Sequence, residues 1–188
     1  MKIGIIGAPG SGKDMLADFF IKYKGFKRFA FADKIKEEFY KISNYTEQQF
    51  KLSRGSELEL QIRKELWQHS IEKTNNNKSY FIDPIIVETN MYDNVVISDV
   101  RTQTELDAIK KTKFIPILIL RNFIKELEGE LFQEDKVIPG TQIPINKIID
   151  CPIFWNIYNI EDNYNNLYKF YNLLKEKCDM NKKDYYST

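Results

Sequence analysis

The chain is short of the residues from which many functional sites are built. A single histidine, His69, stands in 188 residues, so no histidine cluster exists to ligate a metal. The two cysteines, Cys151 and Cys178, lie far apart and form no CxxC, the pattern expected of two free thiols in a reducing cytosol. Neither sign of charge prevails: 28 basic residues face 27 acidic ones, for a net charge of +1. That balance excludes the broad basic field with which proteins hold duplex nucleic acid, and leaves room only for a local anion site. No apolar run approaches the ~20 residues needed to span a membrane. The opening MKIGIIGAPG carries a very short apolar run broken by glycines, unlike a signal peptide. Repeats and low-complexity linkers are also missing. The expectation is a cytoplasmic protein with no membrane partner and no nucleic-acid polymer as partner.

What is there describes a globular chain, 43% hydrophobic and 29% charged, long enough for one domain with a sizeable core. KIGIIG (2–7) reads as a short buried strand running into a glycine-rich turn, and residues 13–23 as a helix with Leu16, Phe19 and Phe20 on one face. FKRFAFA (26–32) reads as a second strand, followed by a helix over 33–42 with Asp33 as its cap. Residues 56–74 form a long amphipathic helix; Leu58, Ile62 and Leu66 recur every four residues, and Trp67 and Ile71 extend the apolar face, expected to be core. Another helix follows at 80–90 with Pro84 near its first turn. NVVISDV (94–100) and FIPILIL (114–120) are apolar runs of the kind buried in parallel sheets. Between them, 102–112 opens with Thr102 and Glu105 in a capping-box pattern. Residues 122–148 are charged and punctuated by Pro and Gly, the composition of a mobile excursion. A last strand is expected near 152–158 and a last helix near 163–177, with a frayed tail from about 178. Strands alternating with helices imply a five-stranded parallel sheet flanked by helices, an α/β fold.

The stretch GAPGSGKD (7–14) carries the most chemistry. Gly7, Gly12 and Lys13 fit G-x-x-x-x-G-K after a strand and before a helix, the context a phosphate-binding loop requires. Gly10 and Gly12 let the backbone curl so that the N–H groups of residues such as Ala8, Ser11 and Gly12 point inward at the helix N-terminus, an anion nest. Lys13 adds a point charge toward a transferred phosphate. The next residue departs from the common pattern. Asp14 stands where a Ser or Thr hydroxyl usually holds Mg2+. An acid in a helix's first turn complements the dipole by ~0.3–1 kcal/mol. Two unit negative charges about 4 Å apart repel by about 4 kcal/mol at an effective dielectric of about 20, which outweighs that gain. Asp14 therefore either turns from the phosphates or has a cation between, and Mg2+, which prefers hard oxygens and keeps several waters, is the expected one.

VVISDVRTQTELDAI (95–109) is the second informative stretch. Asp99 and Arg101 lie two apart where an apolar strand ends, and ligands of open α/β sheets bind at the carboxyl ends of strands. Asp99 is placed to orient Mg2+-bound water, and Arg101 to grip a phosphate bidentately and neutralise transition-state charge. An ion pair at the sheet edge is the plainer alternative.

GSGKD followed by LADFF, then FADKIKEEF (31–39), IRKELWQ (62–68), SDVRTQTELDAI (98–109) and a late IYN before a final helix together resemble the deoxynucleoside monophosphate kinases of bacteriophages and some bacteria. In that family Asp follows the loop lysine, as Asp14 does here. The animal-type phosphomevalonate kinases share SGKD, an RK…EK helix and Asp-x-Arg, and are similar too. The resemblance implies a single P-loop kinase domain over 1–188: a core (1–32, 91–121, 149–178), a helical acceptor-binding insertion (33–90) and a lid (122–148). It implies ATP and Mg2+ as cofactors, small-molecule nucleotides as partners, a monomer or homodimer, and the host cytoplasm for a virus-encoded chain. Residue by residue, Arg63 matches the helix arginine directed at the acceptor, and Asp33 and Lys36 belong to the matching FAD..K island. Asn159 matches the asparagine near the donor's nucleobase. Two departures stand out: the region after the 62–68 island, IEKTNNNKS, lacks the further arginine the family often carries, and 122–148 has lysines but no arginine. Arg121, at the end of the fourth strand, is the candidate substitute. Each carried residue has a plainer reading. Arg63 follows Glu59 by four and pairs with it for ~0.2–0.5 kcal/mol. Lys36 and Arg121 are ordinary surface cations, and Asn159 is a turn former. A nucleotide-binding protein that has lost transfer is the reading from outside the enzyme class.

Overall fold

The computed structural model describes residues 1–121, 137–138, 140–148, 150–156 and 165–176. The chain separates into two compact units: Met1–Arg28 with the described residues from Tyr92 onward, and Phe29–Met91.

In the first unit, five parallel strands form one sheet among the described residues, in the order β2-β3-β1-β4-β5. They are β1 (Lys2–Ile6), β2 (Lys27–Phe29), β3 (Val95–Val100), β4 (Ile115–Arg121) and β5 (Ile153–Asn156). β1 lies at the centre, with Ile3 paired to Val96 on one side and to Ile115 on the other. Its side chains point alternately to two faces, and both are covered. Ile3, Ile5, Val96, Ile117, Ile119 and Phe154 pack with Leu16, Ala17, Phe19 and Phe20 of α1 (Lys13–Lys24). Leu167 and Leu174 of α7 (residues 165–176) join the same cluster. Leu106 and Ile109 of α6 (Gln103–Lys111) are fully buried. Burial on both faces is why these strands read as continuous apolar runs rather than alternating ones.

The capping box expected at Thr102 and Glu105 is present: the threonine hydroxyl accepts from Glu105 N–H at 3.2 Å, and Glu105 Oε2 accepts from Thr102 N–H at 2.8 Å. β2 is shorter than the 26–32 expected from its aromatic run, because α2 (Phe31–Ile42) begins two residues earlier than 33. Ala30 holds the cap position and Asp33 lies in the first turn, so Asp33 is not the cap. Phe31, the first residue of that helix, is 1% exposed. β5 is described as Ile153–Asn156; the rest of the expected strand to 158, Asn159 and the tail from 178 lie outside the described residues. Cys151 is a free thiol, and Cys178 too lies outside.

The second unit is helical: α2, α3 (Glu47–Leu52), α4 (Glu57–Asn76) and α5 (Ile82–Thr89). α3 was not anticipated, although T-x-x-Q at 46–49 is its signature. Thr46 Oγ1 accepts from Gln49 N–H, and the Gln49 side chain accepts from Thr46 N–H at 2.8 Å. α4 starts one residue after Ser56, whose hydroxyl caps it. Its buried face is the expected stripe in part: His69 lies seven residues from Ile62, about two turns, and so shares its face, and Leu66 on that stripe is half-buried. Ile62 and His69 are buried, while Leu58, Leu60 and Trp67 are 41%, 68% and 64% exposed. The unit's core is built around Phe39 and Phe81, and His69, between their rings at 6.0 and 6.1 Å, turns α4 toward them. Trp67, two residues away on a helix with 3.6 residues per turn, then faces the other way.

Candidate functional site

The loop between β1 and α1 is curled by two left-handed glycines, Gly10 at φ 75° and Gly12 at φ 98°. Gly12 is also the residue before α1, and a Cβ there would overlap Asn156 Nδ2. Only glycine suits both the backbone angle and that space. Asn156, buried at the end of β5, donates through Nδ2 to Ser11 C=O at 2.8 Å. On the other side Arg121, at the end of β4, donates to Gly10 C=O at 2.9 Å. The loop is thus braced from two neighbouring strand ends, which fixes the direction in which its N–H groups point. Ser11 is 2% exposed, and its Oγ, buried without a hydrogen-bond partner, lies where a Gly7 Cβ would stand 2.7 Å away. An unmatched hydroxyl and a backbone hollow that only glycines leave open suit an anion with several acceptor oxygens.

Lys13 curls back over this loop. Its ammonium donates to Gly7 C=O at 2.9 Å and to Ala8 C=O at 2.6 Å. Its pKa is lowered, first by burial and then by the positive charge of Arg101, with Asp14 and Asp99 acting the other way. Four of the residues singled out in the sequence, Lys13, Asp14, Asp99 and Arg101, therefore share one electrostatic neighbourhood. Asp14 is exposed in the first turn of α1, and Asp99 is 9% exposed in β3. The register of β3 against β1 shifts just here, where Gly4 pairs Ile97 but Ile6 pairs Val100. Such a bulge re-aims the residues beside it, here Ser98 and Asp99.

Among the described residues no three His, Cys, Asp or Glu side chains converge into a protein-only metal cage.

Arg101 is held by its backbone. Its N–H donates to Glu105 Oε2 at 2.6 Å, and its C=O accepts from Gln142 N–H at 2.6 Å. Burial pushes the Glu105 carboxyl up to about 7, with Asp99 adding to the rise and the two backbone donors opposing it.

In the second unit, Lys36 lies 3.8 Å from Asp33. Arg63 donates to Glu59 from Nε at 2.8 Å and from Nη2 at 2.7 Å, and its guanidinium sits 5.1 Å from the Phe50 ring centre. The i,i+4 pairing read from the sequence is thus present. The nucleobase asparagine expected at Asn159 lies outside the described residues.

Two residues of the site were not singled out as such. Asn156 had a signal, a polar residue ending an apolar run, but nothing local says that it reaches a loop 145 residues away. Glu105 was read as a cap; its second bond, to Arg101 N–H, depends on the turn between β3 and α6.

No protein-family model matches the chain, and no curated protein matches it significantly. Among the described residues no helix is long and apolar enough to cross a membrane.

Proposed function

We propose that the protein is a P-loop kinase that transfers the γ-phosphoryl group of ATP to a deoxynucleoside monophosphate, giving ADP and the diphosphate. The observation that carries this reading is the lysine of a glycine-curled loop, set among Asp14, Asp99 and Arg101.

The reaction asks little covalent chemistry of the protein. A phosphate monoester is close to doubly charged at pH 7, since its second pKa is near ~6, so the attacking oxygen needs no general base. The work is to hold two polyanions in line and neutralise them. In this reading the amides of Ala8, Gly10, Ser11 and Gly12 cradle the donor's phosphates. Lys13 leaves the carbonyls of Gly7 and Ala8 for the transferred phosphate. Asp14 and Asp99 would hold Mg2+, which would supply charge neutralisation for the phosphates. Arg101 grips the acceptor phosphate and takes up charge in the transition state, as a fixed cation does without reorganisation. Arg121 stands in on the donor side for the arginine absent from 122–148, and Asn159, outside the described residues, is the candidate for the donor's base. Asp33, Lys36 and Arg63 are the second unit's candidates for the acceptor; Arg63, itself exposed, would exchange its half-buried Glu59 partner for a phosphate.

The test is ADP release from Mg-ATP against dGMP, dTMP, dCMP, dAMP, their ribose forms and phosphomevalonate. Turnover with one or more deoxynucleotides is the expected result. Turnover with phosphomevalonate alone would keep the chemistry and replace the acceptor. ATP binding with no acceptor-dependent ADP release would overturn the reading in favour of a binding protein on a kinase scaffold.

A further inference from the structure

The segment after the 122–136 stretch is anchored to the site from its own side. Val137 bridges Pro144 in antiparallel fashion, and Ile138 N–H donates to Ile143 C=O at 3.1 Å, closing a short hairpin. Thr141 N–H and Oγ1 both donate to Ile138 C=O, at 3.0 and 2.8 Å. Ile138 and Ile143 are buried, as are Ile145 and Ile148 beyond, so the hairpin is packed into the first unit. At its tip Gly140 takes φ 70°, and a Cβ there would overlap the Pro9 ring of the phosphate loop. Two residues on, Gln142 N–H meets Arg101 C=O. One hairpin thus touches both the loop that curls around Lys13 and the backbone of Arg101, while Glu105 holds the other side of the same residue.

We propose that the 137–144 hairpin and Glu105 form a two-sided backbone clamp that positions Arg101 relative to the phosphate loop. Arg101 is exposed, and an arginine on an open turn samples many rotamers from a shifting base. Clamping N–H on one side and C=O on the other fixes that base without occupying the guanidinium, which stays available for a phosphate. Gly140 sets the spacing, since only a residue without a Cβ lets the tip close on Pro9. Glu105 and Gly140 are positioning residues: they touch no substrate in this scheme and act through Arg101. This rests on the kinase reading for its functional consequence, and on hydrogen bonds alone for its structural part.

The experiment compares Glu105→Ala, Glu105→Gln and Gly140→Ala with wild type, each also in an Arg101→Ala background. The readouts are kcat, ATP dissociation constant, and amide exchange at Arg101, Thr102 and Gln142 by NMR. Expected is a fall in kcat on the order of tenfold to hundredfold for Glu105→Ala and Gly140→Ala, the scale of a small misplacement in an active site. ATP affinity should stay unchanged in Glu105→Ala. Glu105→Gln, which keeps an acceptor for the two N–H groups, should recover most of the rate. On Arg101→Ala the same substitutions should cost nothing further, because residues acting as one unit are not additive. Full additivity on that background would overturn the clamp, whatever the single variants do. If wild type turns over none of the acceptors, the kinase reading fails by itself. The clamp is then judged on exchange, and is overturned if the Arg101 amide is no slower in wild type than in Glu105→Ala.

Discussion

Replacing Gly12 by alanine should destabilise the protein by about 2–5 kcal/mol, from two separable costs. The first is backbone: an L-residue held in the left-handed region, here φ 98°, costs ~1–2 kcal/mol. The second is steric and polar. The new Cβ would overlap Asn156 Nδ2, so Asn156 must withdraw from Ser11 C=O inside the protein. Leaving a buried donor or acceptor unmatched costs ~1–3 kcal/mol. For a chain of this size the sum corresponds to a fall in Tm of roughly 5–20 °C. Gly10 separates the two costs, because it shares the positive φ, at 75°, but a Cβ there meets nothing within 4 Å. Gly10→Ala should therefore show only the backbone cost of ~1–2 kcal/mol. The assay is urea unfolding of Gly10→Ala, Gly12→Ala, Asn156→Ala and the Gly12→Ala/Asn156→Ala double variant. Removing the Asn156 amide makes room for the methyl, so the double variant should lose less than the two singles together, by ~0.5–3 kcal/mol. Equal losses at Gly10 and Gly12, with an additive double variant, would refute the idea that the strand end braces the loop.

Four further outcomes are expected. Asp14→Ala should raise the Mg2+ concentration needed for half-maximal activity, and an unchanged Mg2+ titration would remove Asp14 as a ligand. Arg63→Ala should change stability by about 0.5 kcal/mol, since its Glu59 pair is an i,i+4 contact whose arginine is exposed, but should raise KM for the acceptor; an unchanged KM returns Arg63 to a surface role. On α4, Ile62→Ala should cost ~2–5 kcal/mol as a fully buried side chain, and Trp67→Ser, on the exposed face, no more than ~0.5 kcal/mol; chemical unfolding checks both. Glu105 gives a pH signature in the metal-free protein. Its folded-state pKa, about 7, lies above the ordinary 4.5, so the folded state binds the extra proton between those values. Stability from this group is full below about pH 4.5 and is lost as pH rises through about 7, by on the order of 3 kcal/mol. Glu105→Gln should flatten the unfolding profile over that range, and an unaltered profile would show that the carboxyl ionises freely in the fold.

Much of the molecule was legible because its signals are local. The strands announce themselves as apolar runs, since a parallel sheet covered on both faces has no polar side to show. The loop at 7–13 is legible because its physics lies in a few adjacent residues: glycines for the curl, a lysine for the charge, a helix to follow. Thr102 and Glu105 announce the start of α6 by their spacing alone. Other features depend on which surfaces meet. Ile62 and Leu66 lie on the face of α4 where His69 lodges beside Phe39 and Phe81, but Trp67, expected to extend that face, is left in water. No spacing rule tells how far around a helix its neighbours will cover it. The bracing of the loop by Asn156 and Arg121 joins residues more than a hundred positions apart, and so does not exist until β4 and β5 are laid beside β1. The amino-acid sequence by itself determined which residues curl the loop after β1 and which charge it carries, because local backbone and side chains decide that. Only the tertiary structure decided how those groups are held, because the strand ends that brace the loop and the hairpin that meets Arg101 come together solely through packing of the sheet.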